Sequence, residues 1–123
     1  MQWYVIYSYT RQKAIEDGVL IDVSNLARQA GYKWPVALTS NLYHTYIKPV
    51  KNLVDYGQSD IGRLWDVLNV LRLEAQNSSG TIVLFKVSFL MEIDRMEETT
   101  LKAIAGPGDE GEPVITIMTP EED

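Results

Sequence analysis

The stretch Ser59 to Asn77, SDIGRLWDVLNVLRLEAQN, constrains the fold most. Ile61, Leu64, Trp65, Leu68, Leu71 and Ala75 recur at helical spacing and share one face. Asp60, Arg63, Asp66, Asn69, Arg72, Glu74 and Gln76 lie largely off that stripe. Ser59 is placed to cap the helix, and Asp60 puts a carboxylate at the positive end of its dipole. Asn77-Ser78-Ser79-Gly80 ends it with residues that suit turns. A strand pattern begins at once. From Thr81 to Asp94, Val83, Phe85, Val87, Phe89, Met91 and Ile93 alternate with Leu84, Lys86, Ser88, Leu90, Glu92 and Asp94. One face of that strand is wholly apolar and must be covered by helices.

Two further strands are expected, at 99–105 (TTLKAIA) and 114–118 (VITIM). A charged connection, Arg95 to Glu98, and a turn-rich loop, GPGDEGEP, separate the three. Connections this short favour an antiparallel meander. The first half reads differently. Trp3 to Tyr9 is aromatic and β-branched, hence a strand or extended lead-in. Thr10 caps a short helix that Gly18 closes, VLIDV follows as extended chain, and Ser24 caps a second helix that Gly31 closes. Trp34-Pro35 breaks the chain, and Thr39 or Ser40 starts a helix that Pro49 ends. Residues 50–58 fit either a helical turn or a loop. The expected class is α+β: several helices on one face of a small, mainly antiparallel sheet ending in a three-strand meander. The expected organisation is one domain, 1–123, with 119–123 as an acidic solvated tail.

The chain has 123 residues and 46% apolar content, enough for one packed core without disulfides or a structural metal. It has no cysteine, so its fold is independent of redox compartment. The N-terminus has neither the basic start of a signal peptide nor an apolar run long enough to span a membrane. Charge is uneven. Residues 1–58 hold six Lys or Arg against four acids; residues 59–123 hold five against thirteen. An acidic half repels phosphate, which disfavours direct nucleic-acid binding and leaves two roles open: solubility, or attraction of a basic partner.

Four stretches carry a family resemblance: YSYTRQKAIEDGVLIDVSNLARQAG at 7–31, PVALT at 35–39, GRLWDVL at 62–68 and GPGDEGEPVITIMTPEED at 106–123. The chain resembles a family of small proteins of unknown function found in bacterial genomes, plasmids and phages. The resemblance implies a bacterial, often mobile genetic setting; taken with the N-terminus, the expected address is the cytoplasm of the host cell. It implies no activity.

The residues themselves exclude the common catalytic frameworks. His44 is the lone histidine and cysteine is absent, so zinc sites of the usual kind are ruled out and no metal or other cofactor is expected. Asp109, Glu110 and Glu112 lack the ligand spacing of a calcium loop. GPGDEG has no following lysine and carries acids where a phosphate would sit. No serine stands in a nucleophile-elbow context.

Two functional readings remain. The first is a non-enzymatic accessory or inhibitory factor that binds another protein. Its instrument is an acidic surface of Asp109, Glu110, Glu112, Glu121, Glu122 and Asp123, able to mimic nucleic acid toward a host defence nuclease. Tyrosine and tryptophan, including Trp3, Trp34, Tyr43 and Tyr46, suit such an interface. The second is a small ligand-binding or enzyme domain with a polar pocket of Tyr7, Tyr9, Arg11, Asp22 and Arg63. Asp22 interrupts an apolar run, so it is expected to be buried beside Arg11 or Arg63.

Overall fold

A parallel pair of strands ties the two halves of the chain together. In the computed structural model, which describes residues 9–48, 59–92 and 94–122, β2 (Val36–Thr39) lies beside β5 (Pro113–Met118) with Val36 opposite Ile115 and Leu38 opposite Ile117. Around this seam the sheet has five strands in the order β1-β2-β5-β4-β3. β1 (Leu20–Asp22) pairs antiparallel with β2. β3 (Ile82–Glu92), β4 (Arg95–Pro107) and β5 form the antiparallel meander expected from their short connections. The fold is α+β. The extended reading of the N-terminal aromatic run up to Ser8, and the ambiguous 50–58, lie outside the described residues.

Three helices start at hydroxyl caps; the second does not, because Ser24 lies inside the helix and Val23 at the cap position makes no side-chain bond. α1 (Arg11–Glu16) is capped by Thr10, whose hydroxyl accepts from the Lys13 amide at 3.0 Å. The chain leaves it through Gly18 at φ +78°, a left-handed turn that a Cβ would oppose. α2 (Ser24–Gln29) leaves through Gly31 at φ +103°. Thr39 caps α3 (Ser40–Leu42), which continues as a π-helical turn over Tyr43–Ile47. Ser59 caps α4 (Asp60–Ala75) by accepting from the Gly62 amide at 3.0 Å.

The core lies on one sheet face. Phe85, Val87 and Phe89 of β3, Leu101 and Ala103 of β4, Ile117 of β5 and Val36 and Leu38 of β2 meet Ala27, Leu42, Ile47, Leu64, Val67, Leu68 and Leu71 from α2, α3 and α4. Each fully buried Val, Leu, Ile or Phe side chain here contributes roughly 1.5–3 kcal/mol of transfer free energy. The helix stripe is rotated from its sequence reading. Ile61 and Ala75 face water, whereas Val67 and Arg63 are buried. Arg63 is 4% exposed because its length reaches polar partners across the core edge. It donates to the Tyr46 carbonyl at 2.7 Å and to the Leu90 carbonyl, and lies 5.7 Å over the Phe89 ring. A guanidinium thereby joins a carbonyl of the π-helical turn to one of β3.

Two expectations change in extent. Arg95 to Glu98 is not a connection but the start of β4, with Leu90 opposite Met96 and Ser88 opposite Glu98. Charges are tolerated there because the hairpin end projects beyond the core, and Lys86–Glu98 and Arg95–Glu92 pair at 3.8 and 3.5 Å. The second change concerns the far face of the sheet. It is not bare: α1 lies over it, as the site below shows, while α2, α3 and α4 cover the core face.

Replacing Arg63 by alanine removes the buried guanidinium and its hydrogen bonds to both carbonyls. The expected loss is about 3 kcal/mol of unfolding free energy, read from urea denaturation, with the slope of the transition unchanged. A loss under about 1 kcal/mol would show that water replaces the guanidinium without cost.

Candidate functional site

The alternation of β5 sends Ile115 and Ile117 into the core and Thr116 and Met118 to the opposite face. On that face Arg11 comes down from α1. Its guanidinium donates to Thr116 Oγ1 at 2.7 Å and to the Ile115 carbonyl at 2.8 Å. Burial pulls the Arg11 pKa down, while Asp22, Asp109 and Glu112 oppose that and favour its charge. Ala14, one turn on, is buried, as are Ala37, Val114 and Met118, none of them part of the main core cluster. They form a thin second layer under α1.

The loop after β4 holds the same N-terminal end of α1. Asp109 accepts from the Arg11 amide at 2.7 Å and from the Gln12 amide at 3.0 Å. It is a helix cap supplied from almost the far end of the chain. These two backbone donors hold the Asp109 carboxyl below its ordinary 3.8. The loop is shaped to deliver it: Gly111 sits at φ +83°, Gly111 donates to the Gly108 carbonyl at 3.1 Å, and the Glu110 amide donates to Glu112 at 2.9 Å.

Glu122 closes the third side. It accepts from Thr39 Oγ1 at 2.8 Å and from the amide and hydroxyl of Thr119, both at 2.9 Å. Burial pushes its pKa up, but the Thr119 amide and the Thr39, Thr119 and Asn41 side chains outweigh burial and hold it below its ordinary 4.5. Thr119 is buried, so 119–122 is a turn packed on the sheet end rather than free chain; Glu121 alone of its acids is fully outward. Asp123 lies outside the described residues.

These parts enclose a groove of about 560 Å³ on the far face. Ala14, Val19, Leu20, Ile104 and Met118 make an apolar floor; Tyr9, Asp109 and Glu122 stand among its polar lining. Tyr9 donates to Asp17 at 2.7 Å, and that hydrogen bond raises the Tyr9 pKa. A shallower hollow of about 430 Å³, lined by Arg11, Gln12, Ile15, Glu16, Asp22, Asp109 and Glu112, lies on the other side of Arg11.

The two residue sets read from the sequence therefore meet. Tyr9, Arg11 and Asp22 of the polar set join Asp109, Glu112 and Glu122 of the acidic set around α1. Arg63 does not: it projects from α4 on the opposite face of the sheet. Tyr7 lies outside the described residues. Asp22 is exposed, not buried; it accepts from the Ser24 amide at 3.0 Å and hydroxyl at 2.6 Å and so fixes the entry to α2. It interrupts the apolar run because β1 is an edge strand whose far-face residues reach water.

The sequence reading missed Thr39, Ile104, Thr116 and Met118. The alternation of β4 and β5 places three of them on the far face, but only the pairing of β2 with β5 brings Thr39 to the same groove. A second hollow, of about 290 Å³, opens at the end of the core between Tyr32, Trp34, Ala75, Gly80 and Ala105. Trp34 is 45% exposed beside it, and Tyr32 donates to the Leu68 carbonyl at 2.7 Å. Among the described residues no group of three His, Asp or Glu is placed to hold a metal ion, and no helix is long and apolar enough to cross a membrane.

Asp109 and Glu122 both ionise more readily in the folded chain than in the unfolded one. Their contribution to stability is present above the unfolded values of 3.8 and 4.5 and is lost as pH falls through the lower folded values. Thermal midpoints recorded across the acid range are expected to fall along that path, and Asp109→Asn with Glu122→Gln is expected to flatten the fall. In Asp109→Asn alone, hydrogen exchange at the Arg11 and Gln12 amides should accelerate while that of β4 and β5 holds. Unchanged exchange at those two amides would mean that Asp109 does not hold the helix.

Searches of curated proteins and of solved structures gave no match. A family model matches residues 2–123, and the chain belongs to that family of unknown function, DUF6573.

Proposed function

We propose that the protein is a non-enzymatic binding factor that docks a segment of another protein in the far-face groove. One observation carries this reading: an apolar floor lies between carboxylates that the fold keeps ionised, Asp109 and Glu122. That combination suits an apolar segment carrying Lys or Arg, whose stems lie on the floor and whose charges meet the acids. Arg11 is already committed to Thr116 and the Ile115 carbonyl, which favours a scaffold role for it over contact with an anionic ligand.

On this reading the protein acts as an accessory or inhibitory factor of a phage or plasmid in the bacterial cytoplasm. Its target has a basic surface, and a host defence nuclease has one where it holds nucleic acid. The outward acids Glu110 and Glu121 extend the negative rim toward such a surface. Asp109, Glu112 and Glu122 face the protein's own donors, so mimicry of a phosphate backbone rests on Glu110 and Glu121.

The test separates floor from rim. Val19 is 51% exposed on the groove, so Val19→Arg leaves the core intact while placing a cation at the floor. Capture of a binding protein by the tagged wild type is expected to weaken by at least about tenfold with Val19→Arg, from loss of apolar contact and like-charge repulsion. Glu110→Gln with Glu121→Gln should weaken it less and make it less sensitive to salt. A partner retained equally by all three proteins would sink the groove reading.

A further inference from the structure

The helices do not cover the whole core face of the sheet. β4 runs on to Pro107, but α4 ends at Ala75, and Val83, Ala105 and Ile115 stay half-buried on the face that is closed elsewhere. The side chains that meet here are small: Ala75, Gly80, Ala103 and Ala105 leave room, and the rings of Tyr32 and Trp34 complete the lining. The result is the hollow of about 290 Å³ at the end of the core. A more open one of about 340 Å³ adjoins it and shares Tyr32, Trp34, Ala75 and Ile115.

Polar groups divide unequally between the two. In the inner hollow Tyr32 spends its hydroxyl on the Leu68 carbonyl. Burial raises the Tyr32 pKa, against the opposing charge of Arg72, so that hydroxyl keeps its proton and its bond. Among the described residues this leaves Thr81 and the Trp34 indole N–H as side-chain partners there. The outer hollow adds two cations, Lys33 and Arg72. Both are exposed, and neither side chain forms a hydrogen bond or ion pair with a described residue. Arg72 is nevertheless placed: its guanidinium lies against Gly31, where a Cβ would come within 3.0 Å of Cζ. Among the described residues no Asp or Glu lines either hollow, in a chain of formal net charge −6.

We propose that the two hollows together bind a small aromatic carboxylate, its ring in the inner hollow and its carboxylate at Arg72 and Lys33. Two aromatic walls beside small side chains suit a planar ring. The guanidinium fork suits a carboxylate, and with no acid in the lining nothing competes for it. A neutral aromatic molecule would leave both cations unused. A nucleobase would fit worse, because its polar edge would lose water and find few partners in exchange. The proposal is independent of the groove under α1, which shares no lining residue with either hollow.

The test is a titration of the isotope-labelled protein with 3-phenylpropanoate, followed by NMR at the Trp34 indole and the Tyr32 ring. A saturable shift is expected, with a dissociation constant of roughly 0.1–1 mM for a ligand this small. The uncharged amide of the same acid should bind about tenfold more weakly. Two exposed positions give variants that spare the core. Arg72→Gln is expected to weaken the acid by about tenfold and the amide hardly at all. Ala75→Leu fills the wall common to both hollows, keeps a good helix former in α4, and should abolish binding of both. Shifts that fail to saturate by about 10 mM overturn the proposal. Equal binding of acid and amide, or full binding by Ala75→Leu, overturns it as well. Tighter binding of adenosine monophosphate than of the acid would replace the carboxylate with a nucleotide and so overturn the ligand class.

Discussion

Everything at the candidate site depends on the parallel pairing of β2 with β5. Three residues of β2, Val36 to Leu38, register with Ile115 to Ile117 across nearly the whole length of the chain. That pairing gives the core face Val36, Leu38, Ile115 and Ile117 side by side. It also gives the far face Ala37 beside Thr116, and so a shallow surface onto which α1 settles. Small side chains at Ala14 and Ala37 let the helix come close, and Arg11 spans from it to β5.

Hydrogen bonds then do what apolar area cannot. A six-residue helix is too short to persist alone, because nucleating its first turn costs more than so few bonds return. Asp109 supplies donors' partners at its start, Arg11 ties its first turn to the sheet, and Thr10 closes the local cap. Glu122 performs a similar service for the other end of the groove, joining Thr39 to the turn after β5. The acids that look most like free surface charge in the sequence are thus partly structural. Their lowered pKa values report this use: a carboxylate that accepts backbone donors resists protonation.

On the other face a single cation has the complementary task. Arg63 sits among core aromatics and caps carbonyls from Tyr46 and Leu90, joining the π-helical turn, α4 and β3 at one point. Its charge is stabilised by those carbonyl dipoles, by the Phe89 ring and by the Asp66 carboxylate.

The sequence by itself determined what depends on near neighbours. Caps at Thr10, Thr39 and Ser59, left-handed stops at Gly18 and Gly31, and the alternation through 83–91 all appear in the structure, because each is an interaction within a few residues. The α+β class followed from helices gathered early and strands gathered late. Tertiary structure decided which charged residues are buried and which residues share a site. Arg63 read as a residue off the apolar stripe and a pocket partner for Asp22, since periodicity places a side chain on an arc of the helix but not its head group. Asp109 meets the Arg11 amide across a separation of 98 residues, and Glu122 meets Thr39 across 83. No local pattern encodes such partners. They are fixed only when strand order and register place the end of β4, the end of β5 and the start of α1 on one face.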